Sequence, residues 1–515
     1  MTTAARCSTL ALCLLAAPAV ALTPEELWSA WQAQAAGFGA TLSAEAAPGP
    51  DGSLVLRSFT LAEPGGPPEP LPAESPVQEL RLAPTGDGGV AIDLGLGESR
   101  TFPLGHPGDV RVDTPGLAVT ARDDAGLPGA IAYEARADRL TVALVPTAAG
   151  SPPPGESVDF GLEVAAPLIR VGGGAGAGQT LTSEVALGGL AYVFGVADPY
   201  SGMPNRQASR AEGATRFTLA LTLPASQGFA GFVTALEGPG GEDPSDDEAF
   251  LAAMRALRDG AALRLGFESE PGSQAVWFTG YPFDYRYESR SEGGSGALSV
   301  DGSGAALTAE VGSGGFSASS PALPFPSIDA TFGASDVEIS VPLGPEEGEW
   351  RYRVSLGDLA VNEEAWAFLD PGGRLGREPA RLVLDLGGRA TIDALALAEV
   401  EAAGGTAPPP DIASLEVRQA EVAAAGVRAT AGGSLTFESD KGAPVPVGEL
   451  TARVEGLDRL LDALVALGWV SPEDARNARL GIATVFRAGD APDVRVSTVE
   501  LRADGSVLAN GVQVR

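Results

Sequence analysis

Between positions 277 and 287 the chain places Trp277, Phe278, Tyr281, Phe283, Tyr285 and Tyr287, although only 6% of the whole sequence is aromatic. Aromatic faces are what sugar and acyl-chain binders use, and a Tyr hydroxyl adds a polar handle at the ring edge. The period-two spacing of Phe283, Tyr285 and Tyr287 predicts that these three share one face of a strand. The plainer alternative is a cross-strand aromatic ladder inside a core. Trp28 and Trp31 offer the same choice near the chain start. They could contact a ligand or partner, or belong to a helical lid that plugs one end of a sheet.

Other chemistry finds little footing. The single histidine, His106, lies in Leu104-Gly105-His106-Pro107-Gly108, a turn-like setting with no identifiable Ser or carboxylate partner for a triad. One histidine also excludes a multi-histidine metal site. Gly173 to Thr180 mimics a phosphate loop, but Gln179 stands where the lysine would reach the phosphates, so a flexible linker is expected. Asp113-Thr114-Pro115-Gly116 is close to the Asp-Thr-Gly of aspartic proteases, yet the extra proline and the lack of a second copy favour a β-turn. The acidic run at 240–248 lacks the alternating ligands of a calcium loop and reads as helix capping. Lys441, the only lysine, has no Ser three residues earlier. Glycosidase-type carboxylate pairs stay open, since any two of 67 acids can meet in space. No catalytic, cofactor-binding or metal-binding residue is assigned, no cofactor is expected, and the chain is expected not to be an enzyme.

These side chains must be positioned outside the cytoplasm. Arg6, the apolar run at 10–15 and Ala19-Val20-Ala21 make a secretory signal peptide at 1–21, with cleavage after Ala21 and a periplasmic destination. Cys7 and Cys13 both fall inside it, so the mature chain would have neither disulfides nor thiolate ligands. No later apolar run is long enough to span a bilayer. A formal net charge of −33 repels phosphate backbones and anionic headgroups, which argues against nucleic acid as a partner.

The first mature element is a helix. Thr23, Pro24 and Glu26 form a capping box, and Gly37 is the predicted stop. From residue 38 the period changes to two, as at 53–61, 77–82, 90–94, 140–145, 216–223, 296–309, 327–343, 381–386, 415–421 and 427–437. Antiparallel sheets with one wet face produce this alternation. Helices are predicted at 244–257 and 362–369 and as a pair at 456–487, whose second member is capped by Ser471. The expected fold is β-dominated α+β: long curved antiparallel sheets capped by a few helices. Pro/Gly-rich segments divide it loosely into 22–150 (helix plus sheet), 151–260 (middle β region with one helix) and 261–515 (C-terminal β region with the helical pair).

Four C-terminal segments resemble the family called domain of unknown function 2125. They are Leu323-Pro324-Phe325-Pro326-Ser327-Ile328-Asp329, Asp358-Leu359-Ala360-Val361-Asn362-Glu363-Glu364-Ala365-Trp366, Pro379-Ala380-Arg381-Leu382-Val383-Leu384-Asp385-Leu386-Gly387-Gly388 and the closing residues from Val507 to Arg515. The secreted start and the two late helices are similar too, whereas residues 100–210 diverge. The resemblance implies an exported bacterial protein with no activity or catalytic residues to carry over. By fold analogy it implies kinship with AsmA-like proteins, whose curved sheets have an apolar concave face and are discussed as lipid-conveying. Two functions are therefore expected in order: a non-enzymatic envelope protein holding lipid or another apolar ligand along a β-groove, or an assembly scaffold working through an envelope protein partner.

Overall fold

Alternating apolar and polar residues become strands along most of the chain. The computed structural model describes all residues except 1–20, 38–39, 63–66, 68, 71–78, 104–107, 125–129, 146–157, 176–177, 198–203, 225–245, 281–282, 407–408, 439–443 and 515. The signal segment up to residue 20, His106, Tyr281, Lys441 and most of the acidic run thus lie outside the described residues. The chain divides into two units, one formed by residues 1–152, 160–188 and 218–232, the other by 153–159, 189–217 and 233–515.

The first unit opens with helix α1 (Pro24–Gly37). Its capping box forms as read: Thr23 Oγ1 accepts from the Glu26 amide at 3.2 Å, and Glu26 Oε2 accepts from the Thr23 amide at 2.9 Å. Strands follow as β1 (Thr41–Pro48), β2 (Leu54–Ala62), β3 (Glu69–Pro70), β4 (Glu79–Pro84), β5 (Val90–Asp93), β6 (Ser99–Phe102), β7 (Asp109–Asp113), β8 (Ala118–Asp123), β9 (Ile131–Arg136), β10 (Arg139–Val145), β11 (Val158–Ala165, whose first two residues belong to the second unit), β12 (Leu168–Ala175) and β13 (Gly178–Ala197, which belongs to the second unit from residue 189). Antiparallel pairing runs β1–β2–β4–β5–β8–β9–β12–β13. Leu22, Leu27 and Trp28 bury themselves against Leu54, Leu56, Leu82, Val90 and Ile92, so α1 covers one face of this sheet. The expected linker around Gly173 is corrected: Gly173 faces Leu181 and Gly174 faces Thr180, in a hairpin whose glycines stand in strands. Asp113 to Gly116 does end in a turn, with the Leu117 amide donating to the Thr114 carbonyl and Gly116 at φ 69°.

In the second unit the chain continues through β14 (Pro204–Pro224, whose last residues belong to the first unit), α2 (Asp246–Arg258), β15 (Ala262–Ser269), β16 (Gly272–Thr279), β17 (Tyr285–Ser291), β18 (Gly294–Asp301), β19 (Gly304–Val311), β20 (Gly314–Ser319), β21 (Ile328–Pro342) and β22 (Gly348–Val361). Then come α3 (Glu363–Leu369), β23 (Ala380–Thr391), α4 (Ala394–Ala402), β24 (Asp411–Ala424), β25 (Val427–Glu438), β26 (Val445–Glu455), α5 (Leu457–Ala466), α6 (Pro472–Val485), β27 (Arg487–Ala488), β28 (Val494–Leu501), β29 (Val507–Ala509) and β30 (Val512–Gln513). Fifteen-residue β21 organises the sheet. The first part of one edge pairs β20, leading to β17, β16 and β14. The rest of that edge pairs β19, leading to β18 and β15. The other edge pairs β22, from which β23, β24, β25, β26, β28 and β29 follow.

The predicted helical pair is present as α5 and α6, and Ser471 Oγ accepts from the Asp474 amide at 3.0 Å. Helix α4 is an addition to the sequence reading. Asp393 starts it by accepting from the Ala396 amide, and it packs against α2 through the Arg258–Asp393 ion pair and the buried Ala256 and Ala398.

Candidate functional site

One face of the second unit's sheet is apolar from strand to strand. Residues directly opposite in an antiparallel pair share a face, so a row can be followed across the ladder. Leu265 faces Leu298, which faces Leu307, then Ile339, Tyr352, Leu386, Val417, Gly433, Leu450, Val499 and Ala509. The neighbouring row reads Phe267, Gly296, Ala309, Val337, Val354, Leu384, Ala420, Ala431, Ala452 and Ser497. At the usual interstrand spacing the first row spans roughly 48 Å. One leaflet's acyl chain is roughly 15 Å long.

Bulges keep this face greasy. In β24 the apolar residues are Leu415 and Val417, then Ala420 and Val422, which strict alternation would put on opposite faces. The register slips between Val417 and Ala420 against β25, and between Asp385 and Leu386 against β23, which puts both pairs on one face. In β22 a slip between Leu356 and Leu359, with Asp358 at φ 37°, does the same for those two leucines. The face is left largely uncovered: Leu356 is 50% exposed, Val422 49%, Leu359 46% and Tyr352 38%. Single exposed leucines are ordinary, but a contiguous field of them marks a contact surface. At the β28 edge α5 and α6 reach this face, where Ser497 Oγ donates to the Val485 carbonyl at 2.8 Å and Arg495 pairs with Asp458.

The opposite face is charged and self-neutralising. One row there runs Arg264, Ser299, Ala306, Ser340, Arg351, Gly387, Glu416, Ser434, Glu449 and Glu500. Arg351 binds Glu338 at 2.9 Å and Asp385 at 3.0 Å, while Arg353 binds Asp336 at 2.6 Å and also reaches Asp385. Burial would raise the Asp385 carboxyl, but hydrogen bonds and charge from Arg351 and Arg353 outweigh it and hold the group below the ordinary carboxylate value.

The aromatic cluster is divided between these faces. Phe278 pairs directly with Tyr285, and Val276 with Tyr287, so Phe278, Tyr285 and Tyr287 lie on the apolar face. Phe278 and Tyr285 stack at 5.3 Å and 13°, and Tyr287 stacks on Phe316 at 6.0 Å and 29°. Trp277 points the other way, under the Arg286 guanidinium at 5.9 Å. Phe283 is corrected: it precedes β17 rather than extending its face, and stands 45% exposed. Beside the stacked rings, Val276, Tyr285, Tyr287, Ala318, Leu323 and Ile328, together with the polar Arg286, Ser319 and Ser320, line a recess of about 430 Å³.

Trp28 and Trp31 belong to the packing of the first unit. Trp28 is buried, edge-on to Trp31 and Phe59, and Trp31 Nε1 donates to the Tyr133 hydroxyl at 2.8 Å. Burial raises the Tyr133 hydroxyl above its ordinary value. Ala21 is exposed, while the next residue, Leu22, is buried and donates its amide to the Gly88 carbonyl. Among the described residues no cluster of three His, Cys, Asp or Glu side chains is arranged to hold a metal, and no helix is long and apolar enough to cross a membrane. Leu356, Leu359, Val422, Phe316 and Leu323 were not singled out from sequence. Strand alternation carries a signal for Leu356 and Val422, but only the pairing register joins them into one surface.

Comparison with curated proteins and with solved structures gave no match. Residues 270–514 match the family described as "Uncharacterized protein conserved in bacteria (DUF2125)", a span that begins just before β16 and carries the apolar rows from β18 to the C-terminus. Over that span the chain belongs to the DUF2125 family.

Proposed function

We propose that this chain is an exported, non-enzymatic envelope protein that holds lipid acyl chains along the apolar face of its second unit. The observation that carries this reading is the row from Leu265 to Val499, unbroken by charge and kept in phase by bulges. Burying half-exposed leucines against hydrocarbon is favourable at roughly 25 cal/mol per Å², and apart from the Arg495–Asp458 pair at the β28 edge the charged rows lie on the other face. The exposed Ala21 beside the buried Leu22 supports processing between them, which would leave the fold intact.

The test is native mass spectrometry of the processed protein isolated from the envelope under conditions that retain lipid. Expected is a species heavier by one or more lipids, lost in the Leu356→Asp/Val422→Asp double variant. A protein that is always empty, and that instead brings down a stoichiometric protein partner through the same face, would replace this reading with the scaffold one.

A further inference from the structure

We propose that the recess beside Tyr285 is a separate binding site for a planar ring compound carrying a carbonyl or hydroxyl oxygen. Elsewhere the apolar face is built mostly from Leu, Val, Ile, Ala and Gly, with Tyr352 and Phe267 among them, and suits a flexible chain at any point along it. This corner differs in kind. Phe278 and Tyr285 are nearly parallel at 13°, and Tyr287 and Phe316 make a second stacked pair across the next strand. Phe278 covers one side of Tyr285, which is still 36% exposed and lines the recess.

Opposite the tyrosines stands Ala318, paired with Tyr287, and Leu323 forms a lip with Pro324 and Pro326 beyond it. A small residue paired with the Tyr287 ring leaves a slot beside the stacked rings. The volume of about 430 Å³ lies in the range of small-molecule sites. A flat ring would gain an offset-stacking partner here that a saturated chain cannot use. Neither Tyr285 nor Tyr287 has a hydroxyl partner among the described residues, so both hydroxyls can meet a ligand oxygen at the ring edge.

The test uses the full processed chain, with menadione as the ring probe and decanoate as the chain probe, each followed by equilibrium dialysis. Menadione should bind the unaltered protein, weaken up to about tenfold in Tyr285→Leu and stay near the original affinity in Tyr285→Phe. Leu356→Asp should leave menadione binding unchanged while weakening decanoate. Circular dichroism of Tyr285→Leu checks that the sheet is intact. Menadione that fails to bind, or binds Tyr285→Leu and the unaltered protein equally, overturns the ring site while leaving the acyl-chain reading standing if decanoate still binds. Menadione binding that depends on the Tyr285 ring, with decanoate bound nowhere, supports the ring site and removes the acyl-chain reading.

Discussion

Asp385 shows how the sheet tolerates charge in its middle. Its carboxylate is largely buried between two arginines and is held below the ordinary carboxylate range by them. A folded-state value below the unfolded one stabilises the protein above the ordinary pKa of about 3.9, and that contribution is lost as pH falls through the folded value. Asp385→Asn should therefore cost about 2 kcal/mol at neutral pH in urea titration and flatten the acid limb below about pH 4. At the opposite extreme, Leu356→Asp alters a half-exposed side chain with no partner to lose. Its cost should stay under about 1 kcal/mol, so any loss of ligand can be read as loss of contact. In the first unit, Trp28→Ala should cost about 3–5 kcal/mol, because that ring fills the space between α1 and the sheet.

The bulges are the devices on which the elements turn. Deleting Arg418, the extra residue between Val417 and Gln419, removes the phase slip against β23 and drives Leu415 and Val417 to the charged face or Ala420 and Val422 away from the apolar one. The expected outcome is loss of cooperative unfolding in calorimetry, whereas Arg418→Ala keeps the residue count and should retain it. Legibility from sequence follows the same physics. Clean alternation makes a strand such as β25 legible to within a residue of its observed end, and the Thr23–Glu26 and Ser471–Asp474 caps announce their helices. Helix α4 was hidden because Leu395 and Leu397 alternate with alanines, which imitates a strand, and only Asp393 signalled a start. The glycines at 172–174 suggested a linker because glycine carries no face, yet the ladder accepts them where neighbouring side chains crowd in: a Cβ on Gly172 would sit 2.9 Å from Thr182 Oγ1. Pairing partners were not legible at all. Local alternation fixes which residues share a face within one strand, while the surface from Leu265 to Val499 depends on long-range register.

At the scale of the molecule, the two faces of the second unit's sheet make opposite demands. One pairs its own charges and has little left to offer; the other presents leucines and valines to whatever lies against it, with an aromatic corner at the β16–β17 branch. The acidic excess of the whole chain favours solubility and repels anionic headgroups. The most direct measurement places the photo-crosslinking residue p-benzoylphenylalanine at Leu356, and separately at the neighbouring Arg353 on the charged face, in cells fed radiolabelled phospholipid precursor. Labelled lipid should be captured from position 356 and not from position 353. Equal capture from both positions, or capture from 356 of protein alone, would contradict an acyl-chain face.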